Sequence, residues 1–314
     1  MINKNTMLTQ IWVYYKATRP KFLTASAAPV LTGSMLGYAV TGNFSAGLFI
    51  LAMLGTMLLH SGANVANDYY DHKSGNDEAN TNLSPFSGGR RYIQKGILSA
   101  NATITESLLL LAAGAICGLI IILITKSIFI FILGLIGLAG GFFYTAPPLK
   151  LGYRTIGEPA IAFLFGILPV SGAYFLQTNR LDRIIVMPAV IISLLIFLII
   201  LINDFPDAKA DAAVNKKTFA VRFGIHTNVI IYRTILIISY LTAIAGLIAS
   251  STLRISAVLY LLTLPLGIFA FKSANEKELS QDGYFKANQL TILLHSAGAA
   301  ALSGGFLLTG FLGL

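Results

Sequence analysis

Nine stretches of this chain read as membrane-crossing helices, and no other feature narrows its possible folds so far. They run roughly 22–40, 47–67, 103–124, 127–144, 157–177, 184–203, 228–249, 254–271 and 287–312. A helix needs about 20 largely apolar residues to cross the hydrocarbon. A water-soluble fold of 314 residues would need a charged surface, yet only 11% of these residues are charged and the mean hydropathy is +0.75. Soluble domains carry about 25% charged residues. Lipid must therefore be the solvent for much of the surface. Pro29, Pro169, Pro188 and Pro265 lie inside the apolar stretches. They do not remove a span, because neighbouring helices can satisfy the backbone groups a proline frees. The expected fold is an all-α polytopic membrane protein formed by residues 1–314 as a single domain.

Charge placement sets the expected topology. With the N-terminus in the cytoplasm, the inner segments hold most of the basic residues, Lys4 among them. The outer side keeps Lys126, Arg180, Arg183 and Arg254. Inner loops rich in Lys and Arg are the usual arrangement, so the C-terminus is expected outside and the location is the cell membrane. "QIWVYYKATRPK" places Trp12, Tyr14 and Tyr15 at headgroup level, so residues 1–21 read as an interfacial segment. The net charge of +9 is spread over several loops rather than one stripe, which argues against nucleic acid as a partner. Cys117 lies within an apolar run and reads as a small buried hydrophobe. Among the acids only Asp182 falls on the outer side; Asp282 and the others share the inner side with the basic loops.

Two of those acidic clusters match. Asn67-Asp68-x-x-Asp71 ends the second span, and Asn203-Asp204-x-x-Asp207 ends the sixth. Four spans separate them, so both face the same side. The simplest account is a duplicated four-helix unit plus a ninth helix, with the clusters opposed across a pseudo-two-fold axis. On a helix, residues i, i+3, i+4 and i+7 share a face. Asn64, Asn67, Asp68 and Asp71 thus form one polar stripe, and Asn203, Asp204, Asp207 and Asp211 form the other. Pro206 is expected to bend or end its helix. His60, one turn deeper, reads as a polar core residue. Carboxylates this close repel one another without a cation, and Mg²⁺ takes one or two carboxylates, substrate phosphates and water. Two Mg²⁺ ions clamping a diphosphate would suit the pair.

Loops 72–100 and 204–226 are expected to cover this site. "SPFSGGRRYIQKG" supplies Arg90 after a double glycine, "YTAPPLKLGYR" supplies Tyr144 and Lys150, and "NKKTFAVRFG" supplies Lys216 and Lys217. Arg and Lys are natural phosphate partners. Arg90, Lys150, Lys217 and Asn64 are the expected diphosphate contacts. A transporter is the rival reading, since polar stripes and internal repeats occur there too. Transporters, however, place their sites near the bilayer midplane, and these clusters lie at helix ends.

The pieces NDYYD (67–71), YTAPPLKL (144–151), NDFPDAKADAAVNKKTFAVRFG (203–224) and ATRPKFL (17–23) resemble the UbiA superfamily of intramembrane prenyltransferases. The resemblance covers nearly the whole chain and implies a UbiA-type helical bundle. It implies that Asp68, Asp71, Asp204, Asp207 and Asp211, assisted by Asn67 and Asn203, hold Mg²⁺ on a polyprenyl diphosphate. It places Lys150 and Tyr144 at the diphosphate and the developing allylic cation, and Arg19 near the acceptor. "NDYYDHKSGND" looks most like the branch that prenylates 1,4-dihydroxy-2-naphthoate for menaquinone. The 4-hydroxybenzoate branch usually has a third aspartate where this chain has Gly75, and the next acid here is Asp77. Homogentisate and glycerol-phosphate lipid acceptors remain open alternatives.

Overall fold

The computed structural model describes residues 7–82, 86, 89–281 and 284–314; Lys4, Gly88 of the double glycine and Asp282 lie outside them. The helices are α1 Met7–Ala17, α2 Thr24–Thr41, α3 Ala46–Ser74, α4 Asn76–Ala79, α5 Ala100–Thr125, α6 Ile128–Phe143 and α7 Gly157–Ala162. They continue with α8 Leu168–Thr178, α9 Val186–Ala213, α10 Phe219–Ala249, α11 Ser251–Leu261, α12 Leu264–Ser273, α13 Glu276–Leu279 and α14 Lys286–Leu312. No strand occurs among the described residues. Among the described residues, 6 helices are long and apolar enough to cross a membrane, and up to 8 if each bent pair counts as one span. The bent pairs are α1 with α2, at 56°, and α11 with α12, at 51°. A ninth crossing would have to be α6, whose 16 apolar residues reach about 24 Å at 1.5 Å per residue.

Helix α9 is the hub. Its Ile191, Ile192, Leu195, Leu198, Leu201 and Ile202 are fully buried, and α7, α10 and α14 pack around it. The outer helices do the reverse. Leu109, Leu123, Ile128 and Ile248 expose most of their surface, which is stable only against lipid. The main pairings repeat: α3 lies along α5, and α9 along α10. The matched motifs therefore sit on equivalent helices, as a duplicated unit requires.

Pro206 does not end its helix. It lies inside α9, which continues to Ala213. A proline lacks the N–H that would bond the carbonyl four residues back. That carbonyl, of Ile202, instead accepts from Asn288 Nδ2 at 3.1 Å. A side chain from α14 thus replaces the missing backbone donor, and the expected 204–226 loop shrinks to residues 214–218. Similarly, α3 runs on to Ser74, past the sequence boundary at 67. A π turn at Phe163–Ile167, just before Pro169, joins α7 to α8.

Small residues let the helices close up. A Cβ on Gly33 of α2 would lie 2.2 Å from the Val170 carbonyl of α8. Gly33→Ala should force these helices apart and cost about 1–3 kcal/mol. Gly304→Ala, where a Cβ meets nothing within 4 Å, should be nearly neutral. Thermal unfolding of the two variants in detergent checks this: only the first should melt clearly lower.

Candidate active site

Two asparagines tie the repeated motifs together. Asn76 Nδ2 donates to Asp211 Oδ1 at 2.9 Å, and Asn80 Nδ2 donates to Asp207 Oδ1 at 2.7 Å. They are placed by Gly75, whose φ of +77° ends α3 in the left-handed conformation. That conformation strains residues with a Cβ. The turn sends α4 across to α9. An aspartate at position 75 would sit badly there, and amides four apart face the second motif instead.

The polar cavity between α3 and α9 is lined by Arg19, Asn64, Asn67, Asp71, Asn76, Asn80, Tyr144, Asn203, Asp204, Asp207, Lys216 and Thr218, among others. Asn67 Nδ2 donates to Asp71 Oδ2 at 2.7 Å, and Tyr153 Oη donates to Asp71 Oδ1 at 3.0 Å. Burial and then the Asp71 charge raise the Tyr153 phenol above its ordinary value, so it stays a donor. Asn203 accepts from Asn288 Nδ2 at 2.8 Å. Asn64 Nδ2 donates to the Thr18 carbonyl at 3.1 Å, which anchors the segment carrying Arg19.

Asp68 is already committed. It is buried, its Oδ1 pairs with Arg19 Nη2, and the Arg90 backbone N–H also donates to it. Gly89 approaches so closely that a Cβ there would strike the carboxylate. Arg19 Nε is buried without a partner. The Arg90 side chain is exposed and does not line the cavity. Asp77 accepts from Gln94 Nε2 at 3.0 Å, and its backbone carbonyl accepts from Arg91. It faces the 91–94 loop, and burial followed by the charges of Asp71 and Asp68 pushes its carboxyl up to about 7.

Lys216 faces the cavity, as Arg19 does, and the Lys217 side chain is exposed. Asn215, at φ +58°, turns the chain just before them. Lys216 Nζ reaches Asp211 Oδ1 at 3.2 Å and lies 5.5 Å from the centre of the Tyr153 ring. Lys150 Nζ lies 5.2 Å from the same ring and is not among the residues that line the cavity. Burial would lower the Lys216 pKa, but Asp71, Asp211 and further acids hold it well above the usual value. Asn76, Asn80, Tyr153 and Lys216 have no signal in the repeated motif. Lys216 was visible only as one of two adjacent lysines in the NKKTFAVRFG stretch, and the asparagines only as a pair four apart after the helix-ending glycine.

Beside this cavity lies an apolar one, lined by Gly55, Leu59, Gly118, Ile130, Gly134 and Leu168, among others. His60, Ala63, Gly141 and Phe165 line both, so the two cavities adjoin across these residues. His60 Nδ1 bonds Ser26 Oγ at 2.6 Å, and its ring packs edge-on against Phe165 at 4.6 Å. Among the described residues, no three carboxylate, His or Cys groups converge as ready-made metal ligands. The donors are all oxygens on facing helices, and Asp204 Oδ2 is buried without a partner. Such a set fits a hard cation that completes its shell with phosphate and water.

A head cavity of carboxylates and amides beside an apolar one, inside a membrane helix bundle, defines an intramembrane protein suited to an anionic head on a greasy tail. A sequence model of the UbiA prenyltransferase family matches residues 26–308, so the chain belongs to that family and is a prenyltransferase. It is 31% identical to a 1,4-dihydroxy-2-naphthoate octaprenyltransferase of Haemophilus influenzae, over 89% of this chain and 92% of the relative. It is 28% identical to the protein of that name in Escherichia coli, over 85% of each. A UbiA homolog from Archaeoglobus fulgidus, solved with GPP and Mg²⁺, superposes with a TM-score of 0.69 at 16% identity. That match covers 95% of this chain and 98% of the homolog. At that identity the likeness is one of fold.

Proposed function

We propose that the chain transfers a polyprenyl group from a polyprenyl diphosphate to 1,4-dihydroxy-2-naphthoate, releasing diphosphate, in menaquinone biosynthesis. The observation that carries this reading is the pair of Asn-Asp motifs opposed across a polar cavity that adjoins an apolar one. The naphthoate-acting relatives support the acceptor. Arg19, which lines the cavity, is the acceptor-side cation for its carboxylate.

Charge supports a dependence on two Mg²⁺ ions. Asp68 pairs with Arg19 and Asp211 with Lys216, while Asp204 meets Glu158 and keeps a buried oxygen without a donor. Carboxylates gathered this closely would repel a diphosphate unless cations stood between them. Asp71, Asp204 and Asp207, with Asn67 and Asn203, are the residues to hold them. When bound, the metal neutralises charge on the departing diphosphate. Lys216 contributes fixed positive charge at the same place. Asn76 and Asn80 keep the two motifs at a set separation. Tyr144, on the cavity wall, offers its ring face to the developing allylic cation. The apolar cavity takes the isoprenoid tail and excludes water that would capture the cation. The acceptor ring then attacks, and the carboxylate leaves as CO₂. The site and the N-terminus face the cytoplasm, the C-terminus lies outside, and the bilayer is that of the cell membrane.

The test is a product assay on purified protein with Mg²⁺, farnesyl or geranylgeranyl diphosphate, and a panel of acceptors, read by mass spectrometry. A prenylated naphthoquinol, formed with loss of CO₂ and suppressed by EDTA, is the expected result. Product from another acceptor, with naphthoate inert, would overturn the acceptor assignment.

A further inference from the structure

Glu158 belongs to neither Asn-Asp motif. It stands in the first turn of α7 and is 1% exposed. Its Oε1 accepts from the Phe219 N–H, at the first residue of α10. Its Oε2 is buried without a partner. The Asp204 carboxyl lies within hydrogen-bonding reach of it, and Asp204 Oδ2 is likewise buried without a donor. The Thr218 hydroxyl, next to the Phe219 anchor and on the cavity wall, is a third buried oxygen without a partner. An unpaired buried carboxylate oxygen is strongly unfavourable. Two carboxyls this close, with no donor from the rest of the chain, are relieved by a shared proton or by a cation, and the carboxylate-lined cavity beside them is built to take a cation. Lys216, the nearest basic group to bear on the pair, is bonded to Asp211.

We propose that Glu158 is a further ligand of the divalent-cation site, meeting with Asp204 at one cation while its other oxygen holds the start of α10. The inference rests on the metal-dependent reading above and adds a residue to it. It also gives the cation a structural consequence. The Phe219 bond ties Thr218, and through two more residues Lys216, to the occupied site. Binding should therefore firm up the 214–218 turn that carries Lys216.

The test uses the full chain in detergent and Mn²⁺ as the probe, followed by electron paramagnetic resonance titration without substrate. Glu158→Gln keeps a carbonyl for the Phe219 N–H and gives Asp204 a donor in place of an acceptor. The expected result is a metal-free melting temperature equal to or above that of the wild type, with Mn²⁺ affinity at one site weakened at least tenfold. The melting gain that saturating Mg²⁺ gives the wild type should shrink in parallel. Asp204→Asn is the comparison. If Asp204→Asn weakens Mn²⁺ binding and Glu158→Gln does not, the inference falls and the metal reading stands. If the wild type itself binds no Mn²⁺, both fall.

Discussion

Asp204→Ala should reduce prenyl transfer by about 10²–10³-fold or more, the usual loss when a group acting on transition-state charge is removed. The protein should remain folded in detergent. Asp204 is half-buried at the cavity, its Oδ2 has no donor, and Glu158 presses another carboxylate against it. Removing it relieves repulsion without stranding a basic group. Asp68→Ala is a less clean experiment. It would leave Arg19, already carrying one unpartnered buried nitrogen, without its ion-pair partner. Breaking a buried pair by removing one member costs about 3–5 kcal/mol, so lost activity there would mix chemistry with stability. Initial rates and circular dichroism melts of both variants separate the cases. Near-normal turnover in Asp204→Ala would sink the metal clamp.

Lys216→Gln should be the most damaging change among the basic residues, and Lys217→Gln nearly silent. Lys216 is the buried partner of Asp211, which is 1% exposed and otherwise held by Asn76. Its loss leaves that carboxylate short of compensation, again at about 3–5 kcal/mol. It also removes positive charge from the cavity wall, so KM for the diphosphate should rise about tenfold or more. Lys217 is exposed, and surface changes usually stay within about 0.5 kcal/mol. The pH dependence carries a sign. A lysine whose folded pKa is raised contributes its stability fully below the unfolded value near 10.5, and loses it only as pH climbs through the higher folded value. The gap in melting temperature between wild type and Lys216→Gln should therefore be flat from pH 6 to pH 9. A gap that closes within that range would mean the ion pair is not what holds Asp211.

Two departures from the sequence expectation share one cause. Pro206 was expected to bend or end α9, and the helix runs on to Ala213, with Asn288, far along the chain, supplying a donor to the Ile202 carbonyl. Lys217, Lys150 and Arg90 were expected at the diphosphate, and Lys216 lines the cavity where they do not. In both, the deciding group comes from another helix or from one backbone turn. Helical periodicity describes a single element and carries no information about its neighbours.

From the sequence alone one can read the membrane as solvent, the approximate helices, and the two matched Asn-Asp stripes. Those follow from local physics: the length of an apolar run, and a 3.6-residue period that puts spaced acids on one face. The tertiary structure alone decided what meets those stripes. Gly75 at φ +77° aims Asn76 and Asn80 at the second motif, and Asn215 at φ +58° sends Lys216 inward. Packing brings Tyr153 to Asp71 and Glu158 to Asp204. These are contacts between residues remote in sequence, fixed by how helices pack and where single turns point. A carboxylate acquires its partners only when that packing exists.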